Sequence, residues 1–309
     1  MLKVRLFGPG QAEYQDRPLV NFPLQQPYLL LCYLLLNSKH PHLRDQLATV
    51  FWSEYPNQVS RKYLRNCLWK LRQAFEGVQA SLDNFLLVSD ESIAFLRSSP
   101  FWLDVDGFES AVDACRDIPG EGLNAGQAAS LQEAVELYTG DLMEGTYTDW
   151  CSYERERLNS LYLTTLTKLM VYHEIHGSYE CGLSYGEKIL SHDNTRERVH
   201  LQMMRLHWLA GDRNSAMAQY KNCVQALWEG LGIAPLHETS STYQQMITNQ
   251  YVPVQRLSRI RRSSEADPSL QAMAEKALNR LQYLQNMLDE TRAELRQIES
   301  QLRNEALNS

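Results

Sequence analysis

Between Val59 and Glu76 the chain carries Arg61, Lys62, Arg65, Lys70 and Arg72, with Glu76 the only acid in that window. Asn66, Trp69 and Gln73 are interleaved with them. Leu64, Cys67, Leu68, Leu71 and Phe75 recur at steps of three and four, the spacing of one apolar helix face. A helix built this way can seat itself on a core and turn long hydrogen-bond donors outward, as entry into the major groove of DNA requires. Arg65 and Asn66 are the residue types that pair with guanine and adenine edges. Arg61, Lys62 and Lys70 suit phosphates, which set affinity and salt dependence. The candidate DNA-binding residues are therefore Arg61, Lys62, Arg65, Asn66, Trp69 and Lys70. A net charge of -7 does not oppose this, because the charge is unevenly distributed. Acids dominate from Asp104 to Glu156, so a basic domain is expected to precede an acidic one.

Other chemistry is weaker. His173 and His176 sit three residues apart without the HExxH pattern, so helix packing is expected there and no metal. Gly182 to Lys188 fails the spacing of a phosphate loop. The carboxylates from Asp104 to Glu156 read as a solvated face, with no isolated pair that could serve as acid and base. The six cysteines, Cys32, Cys67, Cys115, Cys151, Cys181 and Cys223, are far apart and form no CxxC, so free and mostly buried thiols are expected. No catalytic residues and no cofactor are expected, and the protein is not expected to be an enzyme. The longest apolar stretch, Tyr28 to Leu36, is too short to span a bilayer. The alternation at Leu2, Val4 and Leu6 is a strand pattern and not a signal peptide, so a cytoplasmic protein without membrane contact is expected.

The elements that must position the basic helix follow from periodicity. Strands are predicted at Leu2–Leu6, Ala12–Tyr14 and Leu19–Phe22, and helices at Gln25–Leu36 and Asp45–Trp52. A third helix is predicted from a Ser60 cap to Phe75. A β-hairpin follows at Phe85–Val88 and Ile93–Leu96, with its tip at Ser89–Ser92. From Asp104 to about Gln250 the pattern is helical. Gly177 and Gly211 lie 34 residues apart and their flanks align: Leu169 with Met203, His173 with His207, Gly182 with Ala216, Ile189 with Cys223. That period is the tetratricopeptide (TPR) signature. A basic stretch follows Pro253, and Arg256, Arg259, Arg261 and Arg262 beside Ser263 and Ser264 are candidates to hold a phosphate or a nucleotide. Leu281, Leu284, Leu288, Thr291, Leu295, Ile298 and Leu302 then recur at alternating steps of three and four, a coiled-coil seam.

The order of these parts resembles the SARP type of bacterial regulator. The resemblance rests on Val4-Arg-Leu-Phe-Gly-Pro, on Arg44 to Ser53, on Ser60 to Phe75 and on Leu103-Asp-Val-Asp-Gly-Phe-Glu. It continues in Gly140-Asp-Leu, Trp150 to Leu161 and Glu229-Gly-Leu-Gly-Ile-Ala-Pro. It implies an OmpR/PhoB-like winged helix of α+β class, followed by an all-α bacterial transcriptional activator domain. The expected division is 1–100 for the winged helix, 101–252 for a TPR-like activator domain, 253–268 for the basic linker and 269–305 for the coiled coil. The implied function is sequence-specific transcription regulation, with activation favoured and with double-stranded DNA and RNA polymerase as partners. The coiled coil is expected to join a homodimer. The rival expectation is a helical scaffold or small-ligand sensor, for example of a nucleotide, with weak DNA binding; the acidic tip Asp90-Glu91 supports it. Winged helices often carry a basic tip, and Arg97 is the only nearby candidate to replace one.

Overall fold

The computed structural model describes residues 1–19 and 26–251. The basic stretch with Arg256, Arg259, Arg261 and Arg262, the predicted coiled coil, and most of the strand predicted at Leu19–Phe22 lie outside the described residues.

The chain opens with β1 (Leu2–Arg5), β2 (Gln11–Tyr14) and the short β3 (Arg17–Pro18). Gln15 and Asp16 both have positive φ, 48° and 61°, which matches the tight turn a right-twisted hairpin prefers. Next comes α1 (Gln26–Leu36), whose Pro27 to Cys32, Leu34 and Leu35 are all buried. A helix apolar on every side must be covered on every side, and α1 is a central element of the N-terminal core. After β4 (His42–Leu43) come α2 (Arg44–Trp52) and α3 (Asn57–Gly77). The hairpin of β5 (Leu86–Val88) and β6 (Ser92–Phe95) follows, and β4 pairs with β6 to complete a three-stranded sheet. The strand β7 (Phe101–Leu103) then returns to lie parallel to β1, giving the order β3-β2-β1-β7.

One expected cap is corrected. The helix α3 begins at Asn57, after Pro56, and Ser60 is buried inside its first turn. The Ser60 hydroxyl reaches back to the carbonyls of Trp52 at 2.9 Å and Tyr55 at 3.1 Å. It therefore ties the α2–α3 turn together instead of starting the helix. Pro56 explains the earlier start, since a proline is readily accommodated at the entry of a helix, where its missing N–H is no loss.

The rest is helical: α4 (Asp104–Ala114), α5 (Ala125–Leu137), α6 (Asp149–His176), α7 (Tyr179–His192), α8 (Glu197–Leu209), α9 (Arg213–Leu231) and α10 (His237–Ile247). Asn124 and Gln127 form a reciprocal capping box at the start of α5. Neighbours α6 to α9 pack in chain order. Gly177 closes α6 at φ 76° and Gly211 follows α8 at φ 86°, a left-handed conformation that glycine adopts without strain. Five residues beyond each turn a small residue packs closely: a Cβ on Gly182 would lie 3.1 Å from Leu206 Cδ1, and Ala216 is fully buried. The aligned pairs Leu169/Met203 and Ile189/Cys223 are buried as well. The 34-residue repeat read from the sequence thus corresponds to two successive helix pairs. The six cysteines are free, and all except Cys181 are buried.

A second correction concerns Asp104, the first of the acids assigned to a solvated face. It is buried, and its carboxylate accepts the backbone N–H groups of Leu6, Phe7 and Val105. Beyond β1 the backbone of Leu6 to Gly8 continues by pairing with the turn after α5, in bonds between Met143 N and Leu6 O (2.7 Å) and between Gly8 N and Asp141 O (2.9 Å). Arg155 of α6 secures that turn by donating to the carbonyls of Leu142, Met143 and Thr146. Above it, Tyr33 of α1 meets Trp150 of α6 edge to face at 5.3 Å. The N-terminal sheet and the helical region are therefore joined by backbone hydrogen bonds as well as by side chains.

Candidate nucleic-acid interface

The expected inner face of α3 is observed: Leu64, Cys67, Leu68, Leu71 and Phe75 are buried. All six candidate residues, Arg61, Lys62, Arg65, Asn66, Trp69 and Lys70, are exposed, as is Gln73. The helix is thus amphipathic in the required sense, with an apolar seat and a face of donors. The structure gathers these six on one helix but does not leave them equally available. Arg61 forms a two-pronged ion pair with Asp45 of α2. That guanidinium holds the Asp45 carboxyl below the usual carboxylate range, and Asp45 in turn raises Arg61. Arg72 pairs with Asp83 at 2.9 Å.

Beside the N-terminal half of α3 lies a groove lined by Arg44, Asp45, Arg61, Arg65, Asp90 and Glu91. Its far wall is the tip of the β5–β6 hairpin. Arg44 fixes that tip: its backbone N–H donates to Glu91 O and its guanidinium to Ser89 O, both at 2.9 Å. Three arginines therefore face three carboxylates, and the acids lower the positive potential that a phosphate backbone would meet here. Arg97 does not extend toward this tip. Its guanidinium donates to Ser38 Oγ at 2.7 Å and to Asp106 Oδ2 at 3.1 Å.

Sequence reasoning missed Asp45 and the Arg44 anchor. Asp45 stands 16 positions before Arg61, and only the α2–α3 turn brings them together. No signal within a single helix could have revealed the pair.

His173 and His176 each hydrogen-bond a neighbour. His173 is buried against Tyr185 and hydrogen-bonds Gln132 through Nε2 at 2.9 Å, while His176 Nδ1 bonds the Tyr172 carbonyl of its own helix. Among the described residues no group of three or more histidines, cysteines or carboxylates could hold a metal ion. No described helix is long and apolar enough to cross a membrane.

Residues 103–247 match the family described as bacterial transcriptional activator domain. That segment is similar to a bacterial transcriptional activator domain. The matched segment starts at Leu103, the end of β7 and immediately before the buried Asp104, so it is anchored in the N-terminal sheet from its first residues. Among solved structures the chain is similar to EmbR of Mycobacterium tuberculosis in complex with a low-affinity phosphopeptide. The TM-score is 0.66 at 17% identity, covering 85% of this chain and 69% of the other. That likeness is one of fold: a small N-terminal sheet region followed by a helical domain. Together the activator domain and the fold support the SARP type of bacterial transcriptional regulator. No curated protein matches the chain by sequence.

Proposed function

We propose that this protein is a transcription regulator that binds specific double-stranded DNA sites through α3, and that it acts as an activator. In this reading residues 1–100 are a winged helix with β5–β6 as its wing, and α3 enters the major groove. Residues 101–252 are a TPR-like regulatory domain that also offers a surface to RNA polymerase. Two copies of the chain act together as a homodimer. The protein works in the cytoplasm and performs no catalysis. One observation carries the reading. Lys62, Arg65, Asn66, Trp69, Lys70 and Gln73 are exposed along a helix whose opposite side is seated in the core.

The mechanism follows from the groove chemistry. Lys62 and Lys70 neutralise phosphates and set register without reading sequence. Arg65 and Asn66, between the two lysines along the helix, carry the donors that distinguish guanine and adenine edges. Because backbone hydrogen bonds join the sheet to the activator domain, a protein docked on the latter is held at a fixed position relative to the DNA.

The test is selection of duplexes from a random-sequence library with the full chain, followed by titration of the enriched duplex at several salt concentrations. A steep fall of affinity with salt together with enrichment of one sequence supports the proposal. Failure to enrich any sequence would leave the second reading, a ligand-sensing helical scaffold, which the acidic wing tip Asp90-Glu91 favours. In that reading Arg256, Arg259, Arg261 and Arg262 hold the phosphates of a nucleotide, and calorimetry with a nucleotide panel would register the binding.

A further inference from the structure

Trp69 is 57% exposed, although it lies near the middle of a 21-residue helix. Seven residues separate it from Lys62 and four from each of Arg65 and Gln73, so all four share one meridian of α3. Leu64 and Leu71, both fully buried, mark the opposite side. The indole therefore stands at the centre of the outward face, with Arg65 and Asn66 one turn before it and Gln73 one turn after. Covering that indole with a partner of matching chemistry would be favourable.

The chemistry of the indole narrows what that is. It has a single donor, Nε1–H, and no acceptor, so it cannot make the two-pronged pairs that arginine makes with guanine or asparagine with adenine. It carries no charge for a phosphate. The faces of paired bases are covered by stacking, and only their edges are open in a duplex groove. Along the floor of the major groove, the apolar feature is the 5-methyl group of thymine. We infer that Trp69 is a specificity-determining residue that selects thymine in the bound DNA by contact with this methyl group. The inference rests on the reading of α3 as the groove-entering helix.

The experiment uses the full chain and the duplex enriched from the random library, remade with uracil in place of one thymine at a time. Uracil pairs as thymine does and lacks only the methyl group. One position is expected to lower affinity about fourfold, the value of one buried methyl-sized group. Trp69→Ala is expected to bind the thymine duplex more weakly and to be indifferent to uracil at that same position. Its circular dichroism and unfolding midpoint should match wild type, because the side chain it removes is exposed. Enrichment of a sequence with no methyl-sensitive position would overturn the role of Trp69 and leave α3 as a DNA-binding helix. An Ala variant that keeps the sensitivity would overturn that role equally. Absence of any enriched sequence would overturn the reading of α3 and this inference with it.

Discussion

The Asp104 carboxylate accepts the backbone N–H of Leu6 through both oxygens, at 2.9 and 2.8 Å, although 98 positions separate the two residues. The same carboxylate takes the N–H of Phe7 at 3.0 Å and of Val105 at 2.8 Å. Burial pushes the carboxyl above its ordinary range, and these three N–H groups pull against that shift. One side chain thus closes the end of β1 and starts α4.

Asp104→Ala would leave three buried donors without a partner, each costing about 1–3 kcal/mol. Local water entry will soften part of this, so a loss of about 3 kcal/mol in urea unfolding is expected. Asp104→Asn keeps the shape but turns one acceptor into a donor facing donors, and it should lose a comparable amount. A change within experimental error in both variants would mean that the sheet is not fastened to the activator domain through this residue.

On the proposed reading, Asp45 would compete with DNA for Arg61, with which it is paired. Asp45→Asn should free the guanidinium and remove a negative charge from the groove, with little effect on folding because both groups are exposed. Affinity for an enriched duplex should rise, and the slope of log affinity against log salt should steepen by about 0.9, one added phosphate contact. Weaker binding would show that the pair instead holds Arg61 in its working position.

The parts of this structure fixed by local periodicity were legible in the sequence, and the parts fixed by long-range contact were not. The apolar stripe of α3 repeats within one helix, and it predicted both the buried Leu64–Phe75 face and the exposed candidates. The 34-residue register of Gly177 and Gly211 was likewise visible, because a left-handed helix end selects glycine wherever it recurs. Ser60 misled because a serine after a proline turn has the composition of a cap; only the packing of α2 shows its hydroxyl directed to Trp52. Asp104 misled because it sits in an acidic stretch, and its partners Leu6 and Phe7 are backbone groups at the other end of the domain. The strand β7 was missed because three residues of Phe-Trp-Leu are too short for alternation to register.

His200 is buried, with Nε2 bonded to Asn194 O at 2.9 Å and Nδ1 to the Gln219 side-chain amide at 2.8 Å. The first bond needs the ring N–H on Nε2 and the second needs a lone pair on Nδ1, so the ring is neutral. Burial lowers its pKa below the ordinary 6.5, and burial also lowers His173. The unfolded chain then binds more protons than the folded one as pH falls below 6.5. Stability should be complete above that pH and should decline as pH falls toward the depressed folded values. Urea midpoints measured from pH 8 to pH 5 should show this decline, and replacing His200 with Gln should make it shallower. A His200→Gln profile as steep as that of wild type would contradict the neutral assignment.

Arg65 and Lys62 are both exposed on α3, yet they should fail differently. Arg65 can present a two-pronged donor to a guanine edge, so Arg65→Ala should cost about 1–3 kcal/mol on the enriched sequence and relax preference at one base pair. Its loss on unrelated sequences should be smaller, because only the charge is missing there. Lys62 is a point charge suited to a phosphate, which every sequence supplies. Lys62→Ala should weaken all duplexes about equally and flatten the salt slope by about one. Mobility-shift titrations of both variants, on the enriched duplex and on a scrambled one across a salt series, separate the two patterns. Identical behaviour of the two variants would mean that Arg65 does not reach a base. Unchanged binding in both would remove α3 from the interface.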